Sequence, residues 1–294
     1  MSIVAFFLIQ LSPGDPASFY VSADAPAEEL ARVRERLGVD QPIMVRFGNW
    51  FGNVLQGDLG TSFFQRRPVT EAFFSALPVT LMLAGGGFLV AIVIALPLGI
   101  LSALKQNSIF DKLATLIAFI GISMPNFWFG MLLILAFSVN LGWLPAQGFM
   151  RGDFISSIRC LILPALALGY PDSALLMRMT RSSMLEVLHQ DYVQTARAKG
   201  IREKIVIFHH AFKNAINPIL TTSGIVIARM FAGSVVIETV FNLPGIGQLV
   251  INSVMRRDYP VIQGALLLTA VMILIVNLII DLLYGVFDPR IRYD

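Results

Sequence analysis

Charged side chains are scarce in the apolar stretches of this chain, so the few that occur there are the first candidates for chemistry. Asp172, Arg229 and Glu238 each interrupt a long uncharged run. An ionisable group in hydrocarbon is costly, so each must be paired, wet or functional. Asp172 and Arg229 carry opposite charge, and pairing would lower the cost of both. The other reading turns Arg229 toward a water-filled path, where it meets a ligand carboxylate. The pair is the expectation adopted here, because a lone path-facing Arg229 leaves Asp172 unexplained. Glu238 stands beside the turn Asn242-Leu243-Pro244-Gly245. It is read either as a carboxylate at an outer gate or as a helix-terminal group held by that turn. No catalytic residues are assigned, since these isolated groups supply no nucleophile–base constellation. No metal ligands are assigned either: of the three histidines, two are adjacent, and they lack a ligand spacing. The single Cys160 cannot close an internal disulfide.

The second cluster of chemically able residues is a polar, basic island, DYVQTARAKGIREKIVIFHHAFKNAINP, from Asp191 to Pro218. Asp191 with Gln194 three residues on reads as a capping box, and Gly200 as a helix-stop residue. A short helix from Tyr192 to Lys199 is expected between them. Upstream, Met184, Leu188, Tyr192 and Ala196 recur every four residues as an apolar stripe. After Gly200 a second amphipathic helix is expected, with Ile205, Phe208, Phe212 and Ala215 on one side and Pro218 as its end. Such a hairpin can dock a soluble partner, or it can rest on anionic lipid. The residues alone leave both readings open.

The elements that position these groups are membrane spans. Of 294 residues, 56% are hydrophobic and only 14% charged, well below the usual charged share of a soluble domain. About 20 apolar residues cross the hydrocarbon core, and five stretches qualify: 76–104, 113–140, 159–179, 219–241 and 261–286. Met1 to Leu11 is too short to span and lacks the basic start and cleavage pattern of a signal peptide. It is read as a truncated first helix. All five lysines fall in 105–112 and 180–218, which the positive-inside rule makes cytoplasmic. Segment 12–75 then lies outside, with a short helix expected over 26–38. The basic residues flank apolar spans, so no nucleic-acid footprint is read. Gly87, Ala91, Ala95, Gly99 and Ala103 repeat every four residues, a small-residue stripe that lets helices approach closely. Gly224, Ala228 and Ala232 form a shorter version.

The run Tyr192-Val193-Gln194-Thr195-Ala196-Arg197-Ala198-Lys199-Gly200, with His210-Ala211, Asn214-Ala215 and Pro218, resembles the "EAA" cytoplasmic loop of ABC-importer permeases. Gln194 and Thr195 in place of the general Glu-Ala fit the peptide/nickel branch. Other stretches are similar to that branch: Ser12-Pro13-Gly14-Asp15-Pro16, Gly57-Asp58-Leu59-Gly60-Thr61-Ser62, Met124-Pro125-Asn126-Phe127-Trp128 and Arg257-Asp258-Tyr259-Pro260. So is Glu238-Thr239-Val240-Phe241-Asn242-Leu243-Pro244-Gly245-Ile246-Gly247, and together they resemble the B-type permease of the pair. Asp172 and Arg229 depart from the residues expected at their positions in that family.

This resemblance implies an all-α, type I importer permease (MetI-like) fold, with five full helices, a truncated first one and a core over 76–294. Its docking loop is expected over 180–218, with Asp191, Tyr192, Thr195, Ala196, Arg197, Ala198, Lys199 and Gly200 facing an ATPase. The implied partners are a second homologous permease, two ABC ATP-binding subunits and an extracytoplasmic solute-binding protein, in a bacterial or archaeal inner membrane. The implied cargo is a small peptide or related solute, such as glutathione or a nickel chelate. This chain has no Gly-Lys dipeptide and hence no phosphate-cradling Walker loop, so ATP and Mg are expected on partner subunits. A secondary transporter not coupled to ATP is the rival reading. It would normally show internal repeats, and none is found.

Overall fold

The computed structural model describes residues 40–150 and 152–287, with single positions 3, 6, 7, 26, 28, 31, 32, 34 and 35. The truncated first helix, the helix over 26–38 and the C-terminal segment 288–294 lie wholly or largely outside these described residues. Among the described residues every regular element is helical apart from one isolated bridge, Thr61 with Pro68. In order these are α1 (Ile43–Leu55), α2 (Val69–Leu104), α3 (Ile109–Ser123), α4 (Asn126–Asn140) and α5 (Phe154–Leu188). Then come α6 (Asp191–Ala198), α7 (Glu203–Val240), α8 (Ile246–Met255) and α9 (Tyr259–Phe287).

Four described helices are long and apolar enough to cross a membrane, and a fifth span requires α3 and α4 together. The stretch 113–140 is therefore not the single straight span that apolar length suggested. The two helices meet at 104° across Met124 and Pro125. Proline lacks an N–H and pushes the preceding residue out of the helical region; Met124 is extended, at φ −93° and ψ 129°. Length and hydropathy carry no signal for such a bend. The chain also runs helical well past the expected span ends. At 1.5 Å per residue, the 35 residues of α5 reach about 52 Å, beyond a hydrocarbon core of about 30 Å.

The residues form two compact units, 1–78 with 245–272 and 79–244 with 273–294. In that first unit, Leu59, Val69, Ala72, Phe73, Ala76, Ile246, Leu249, Val261, Ala265 and Leu267 make a buried core. Two motifs that the sequence left without a role meet there. The Asp258 carboxylate, buried at 2% exposure, accepts from the Ser62 hydroxyl at 2.5 Å and from the Phe63 and Phe64 N–H groups at 3.3 Å. The Arg256 guanidinium lies 4.0 Å from the Phe64 ring centre, a cation–π contact.

The second unit is built on α5. Its small-residue seam with α2 forms as the period of four suggested: Gly87, Ala91, Ala95, Gly99 and Ala103 are all buried. A methyl on Gly99 would lie 2.7 Å from the Thr180 Cβ and 2.8 Å from the Met177 carbonyl oxygen. At Gly169 of α5 the obstacle is the Gly87 carbonyl itself. In lipid, where apolar side chains gain little by leaving solvent, this backbone contact is what holds helices together. The Gly224, Ala228 and Ala232 triple behaves otherwise. Gly224 packs on Ile280, but Ala232 is exposed, so no continuous seam exists.

Gly169→Val should therefore cost about 1–3 kcal/mol or more, because backbone cannot yield as a side chain can. Gly85→Val, where a methyl meets nothing within 4 Å, should cost well under half of that. Thermal unfolding of the two variants in detergent distinguishes them; equal midpoints would contradict the seam.

Candidate functional site

The basic island folds onto the ends of two long helices. α5 continues through 180–188, only His189 and Gln190 intervene, and α6 starts at Asp191. The capping box does not form. Gln190 is the N-cap and makes no side-chain bond, while Asp191 occupies the first turn, where its charge favours the helix N-terminus. The start is shifted because α5 leaves too short a linker for Asp191 to stand outside the helix.

The other end is as the sequence indicated. Gly200 adopts φ +74°. Its N–H donates to the Arg197 carbonyl at 2.9 Å, and the Ile201 N–H to the Ala196 carbonyl at 3.3 Å, the paired bonds of a Schellman stop. Arg197 reaches across the stop to Glu203, with Nη2 2.9 Å from Oε1.

Beyond Gly200 the expected amphipathic helix is present, but its buried face and its end differ from expectation. Residues Val206–Phe212 are π-helical. The buried positions are Val206, Ala211 and Ala215, whereas Ile205 is 47% and Phe208 59% exposed. A wider turn shifts the periodicity, so that of the expected face Ala215 is buried and Phe212 packs against the same cluster, while Ile205 and Phe208 turn outward. Pro218 does not end the helix, which continues to Val240 with the proline inside it.

One apolar cluster seats α6. Val193 and Ala196 pack with Met184 and Leu188 of α5, Val206, Ala211 and Ala215 of α7, and Ile100 and Ala103 of α2. The stripe read from sequence is kept except at Tyr192, which is 44% exposed because the break at 189–190 hands its place to Val193. The outward face is Asp191, Tyr192, Thr195, Ala198, Lys199 and Gly200, with Arg197 half-buried. Beside it opens a cavity of about 450 Å³ lined by Lys105, Gln106, Ser108, His189, Gln194 and Arg197 among others. The turn between α2 and α3 is thus part of the same surface, a partnership that sequence distance concealed.

A polar clasp next to this surface was also missed. The buried Asp111 carboxylate takes a two-pronged grip from Arg181, Nε to Oδ1 and Nη2 to Oδ2, both at 2.7 Å. Ser102 donates its hydroxyl to the same carboxylate, and the Asn107 N–H donates at 2.9 Å. Together these tie α2, α3 and α5. Asp111 was passed over because in sequence it sits in a short charged stretch between apolar runs; nothing in its neighbours points to Arg181, 70 positions on.

Of the intramembrane charges, Asp172 and Arg229 come together, Arg229 Nη2 lying 3.3 Å from Asp172 Oδ1. The Asp172 side chain is 4% exposed and the Arg229 side chain 60%. Glu238 is fully buried and accepts from the Thr80 hydroxyl of α2 at 2.6 Å. That bond bridges two helices.

The family described as binding-protein-dependent transport system inner membrane component matches residues 95–293, and its N-terminal counterpart matches 1–84. A putative peptide transport system permease protein of Brucella abortus (strain 2308) is 42% identical over 298 positions, covering 100% of this chain and 94% of the relative. The oligopeptide transport system permease protein of Bacillus subtilis (strain 168) gives the same figures. The glutathione transport system permease protein of Salmonella typhimurium is 42% identical over 293 positions. Among solved structures, an inward-facing MetNI methionine ABC transporter chain superposes with TM-score 0.62 at 16% identity, over 74% of this chain and 97% of that one. At that identity the likeness is one of fold.

Arg181→Gln strands the buried Asp111 carboxylate and should destabilise by about 3–5 kcal/mol. Asp111→Asn combined with Arg181→Gln should recover part of that loss. Denaturation midpoints of the purified chain measure both, and a single variant no weaker than the double would show the clasp to be idle.

Proposed function

The chain belongs to the family of binding-protein-dependent transport system inner membrane components, and from that premise we propose that it is the permease subunit of an ATP-driven importer of small peptides or a related solute. It performs no chemistry on its cargo. A second, homologous permease completes the path, and a solute-binding protein delivers cargo from outside. Two ATP-binding subunits hold ATP and Mg and act on the cytoplasmic surface formed by α6. The membrane is the cytoplasmic membrane of a bacterium or archaeon. The relatives' names, which specify peptides, oligopeptides and glutathione, support the cargo class.

The observation that carries this reading is the mounting of α6. Eight residues do not form a stable helix alone, yet α6 has a defined start, a Schellman stop and a buried underside shared with three spans. Its polar face is left outward. Closure of an ATP-bound partner dimer would draw α6 with it and rock α5 and α7 between inward- and outward-open states.

Gly200→Val puts a β-branched residue at φ +74°, a strain of about 1–3 kcal/mol, and should remove the stop. The complex reconstituted in vesicles with its neighbouring subunits should then lose peptide uptake while the chain stays in the membrane. Ala198→Cys, on the exposed face, should cross-link to an ATP-hydrolysing subunit in the active wild-type background. Full uptake by the Gly200 variant would contradict the proposal. Uptake that persists in vanadate would favour a transporter not coupled to ATP.

A further inference from the structure

Arg229 occupies a position that pairing alone does not explain. It lies within α7, on a face with Ile225 and Val236, which are 54% and 47% exposed. Its own side chain is 60% exposed, whereas Asp172 beneath it is 4% exposed. A guanidinium turned outward from the middle of a span cannot be left in lipid at tolerable cost; it needs water, a ligand or a protein partner.

The contact between the two is also incomplete. Nη2 stands 3.3 Å from Oδ1, close enough for Coulomb attraction, yet Oδ1 receives no hydrogen bond from any described residue. Asp172 therefore anchors the charge without consuming the fork of five N–H donors that suits a carboxylate.

The neighbourhood adds polar groups at the next turn. α5 and α7 run antiparallel here, with Leu168 against Gly233 and Asp172 against Arg229, one helical turn apart. A methyl on Gly233 would lie 3.6 Å from the Asn126 amide nitrogen. Asn126 opens α4 immediately after the 104° break, and that helix start has no side-chain cap. A cation, a side-chain amide and an uncapped helix start are thus grouped on one side of the second unit. All three favour an anion.

We propose that Arg229, held by Asp172, is a specificity-determining residue that takes the carboxylate of the transported solute as it passes. This deepens the proposed function and rests on it. The Asp172 charge serves a purpose in such a site: it weakens the hold on an anion. A transit station must bind strongly enough to admit cargo and weakly enough to release it.

The test uses the assembled complex with Cys160 replaced by Ala and Arg229→Cys as the probe position. During ATP turnover the new thiol should react with a membrane-impermeant, anionic thiosulfonate. A saturating peptide should slow that reaction by standing in front of the thiol; the preference for a free C-terminal carboxylate over the amidated peptide is read in uptake by the complex that keeps Arg229, and Arg229→Gln should abolish it. The double variant Asp172→Asn, Arg229→Cys removes the stranded carboxylate and should give the same pattern if the single variant is poorly folded. In uptake, Arg229→Gln should lower transport of the free-carboxylate peptide by about tenfold or more, with Arg229→Lys falling between it and the wild type.

No labelling in a complex that still transports would place Arg229 against the second permease and overturn the site. Labelling that peptide does not slow would overturn it as well. Loss of ATP dependence in the unaltered complex, run alongside, would instead overturn the function on which the site rests and take the site with it.

Discussion

The short helix α6 owes its existence to a shared apolar core. Val193 and Ala196 are the underside of α6, and their neighbours come from α2, α5 and α7. An eight-residue helix would melt without that seat. The same contacts that stabilise α6 therefore fix it to the spans, and a force on its polar face is delivered to three helices together. Arg197 and Glu203 reinforce this by bridging the Gly200 stop, so that α6 and the start of α7 turn as one piece. As an exposed pair it contributes little energy; its value is directional.

Two kinds of polar contact hold the second unit, and they differ in completeness. Asp111 has every lone-pair direction engaged by Arg181, Ser102 and Asn107, which makes it a closed structural knot. Among the described residues Asp172 has one ion pair, at 3.3 Å, and its Oδ1 receives no hydrogen bond. Proteins close the buried knots that only hold shape, because each unsatisfied group is costly. An open pair in a span is the arrangement that needs a further partner. Glu238 with Thr80 is nearer to the first kind, since the carboxylate is fully buried and bonded between helices.

Much of this was legible in the chain of residues. The uncharged runs marked the spans, the four-residue spacing of Gly87 to Ala103 marked the seam, and Gly200 marked the stop, because each depends on local composition or period. What escaped depends on geometry that local patterns do not encode. The bend at Met124-Pro125 sits in an apolar run and costs nothing in hydropathy. The π-helical turn at Val206–Phe212 moved the buried face to Ala211, which a period of four cannot reach from Val206. The Asp111–Arg181 and Ser62–Asp258 contacts join positions 70 and 196 apart. The Asp172–Arg229 pair was found because both are anomalies in their surroundings; Asp111 lies beside Lys112 and stood out against nothing.

The central claim is that α6 moves with α5 as one body. Spin labels at Lys199 and Arg178, both exposed, can be placed in the assembled complex and their separation measured without nucleotide and with ATP trapped. The account predicts one narrow distance, the same in both conditions. A distance that shifts or broadens when nucleotide binds would show α6 sliding on its seat and would contradict it.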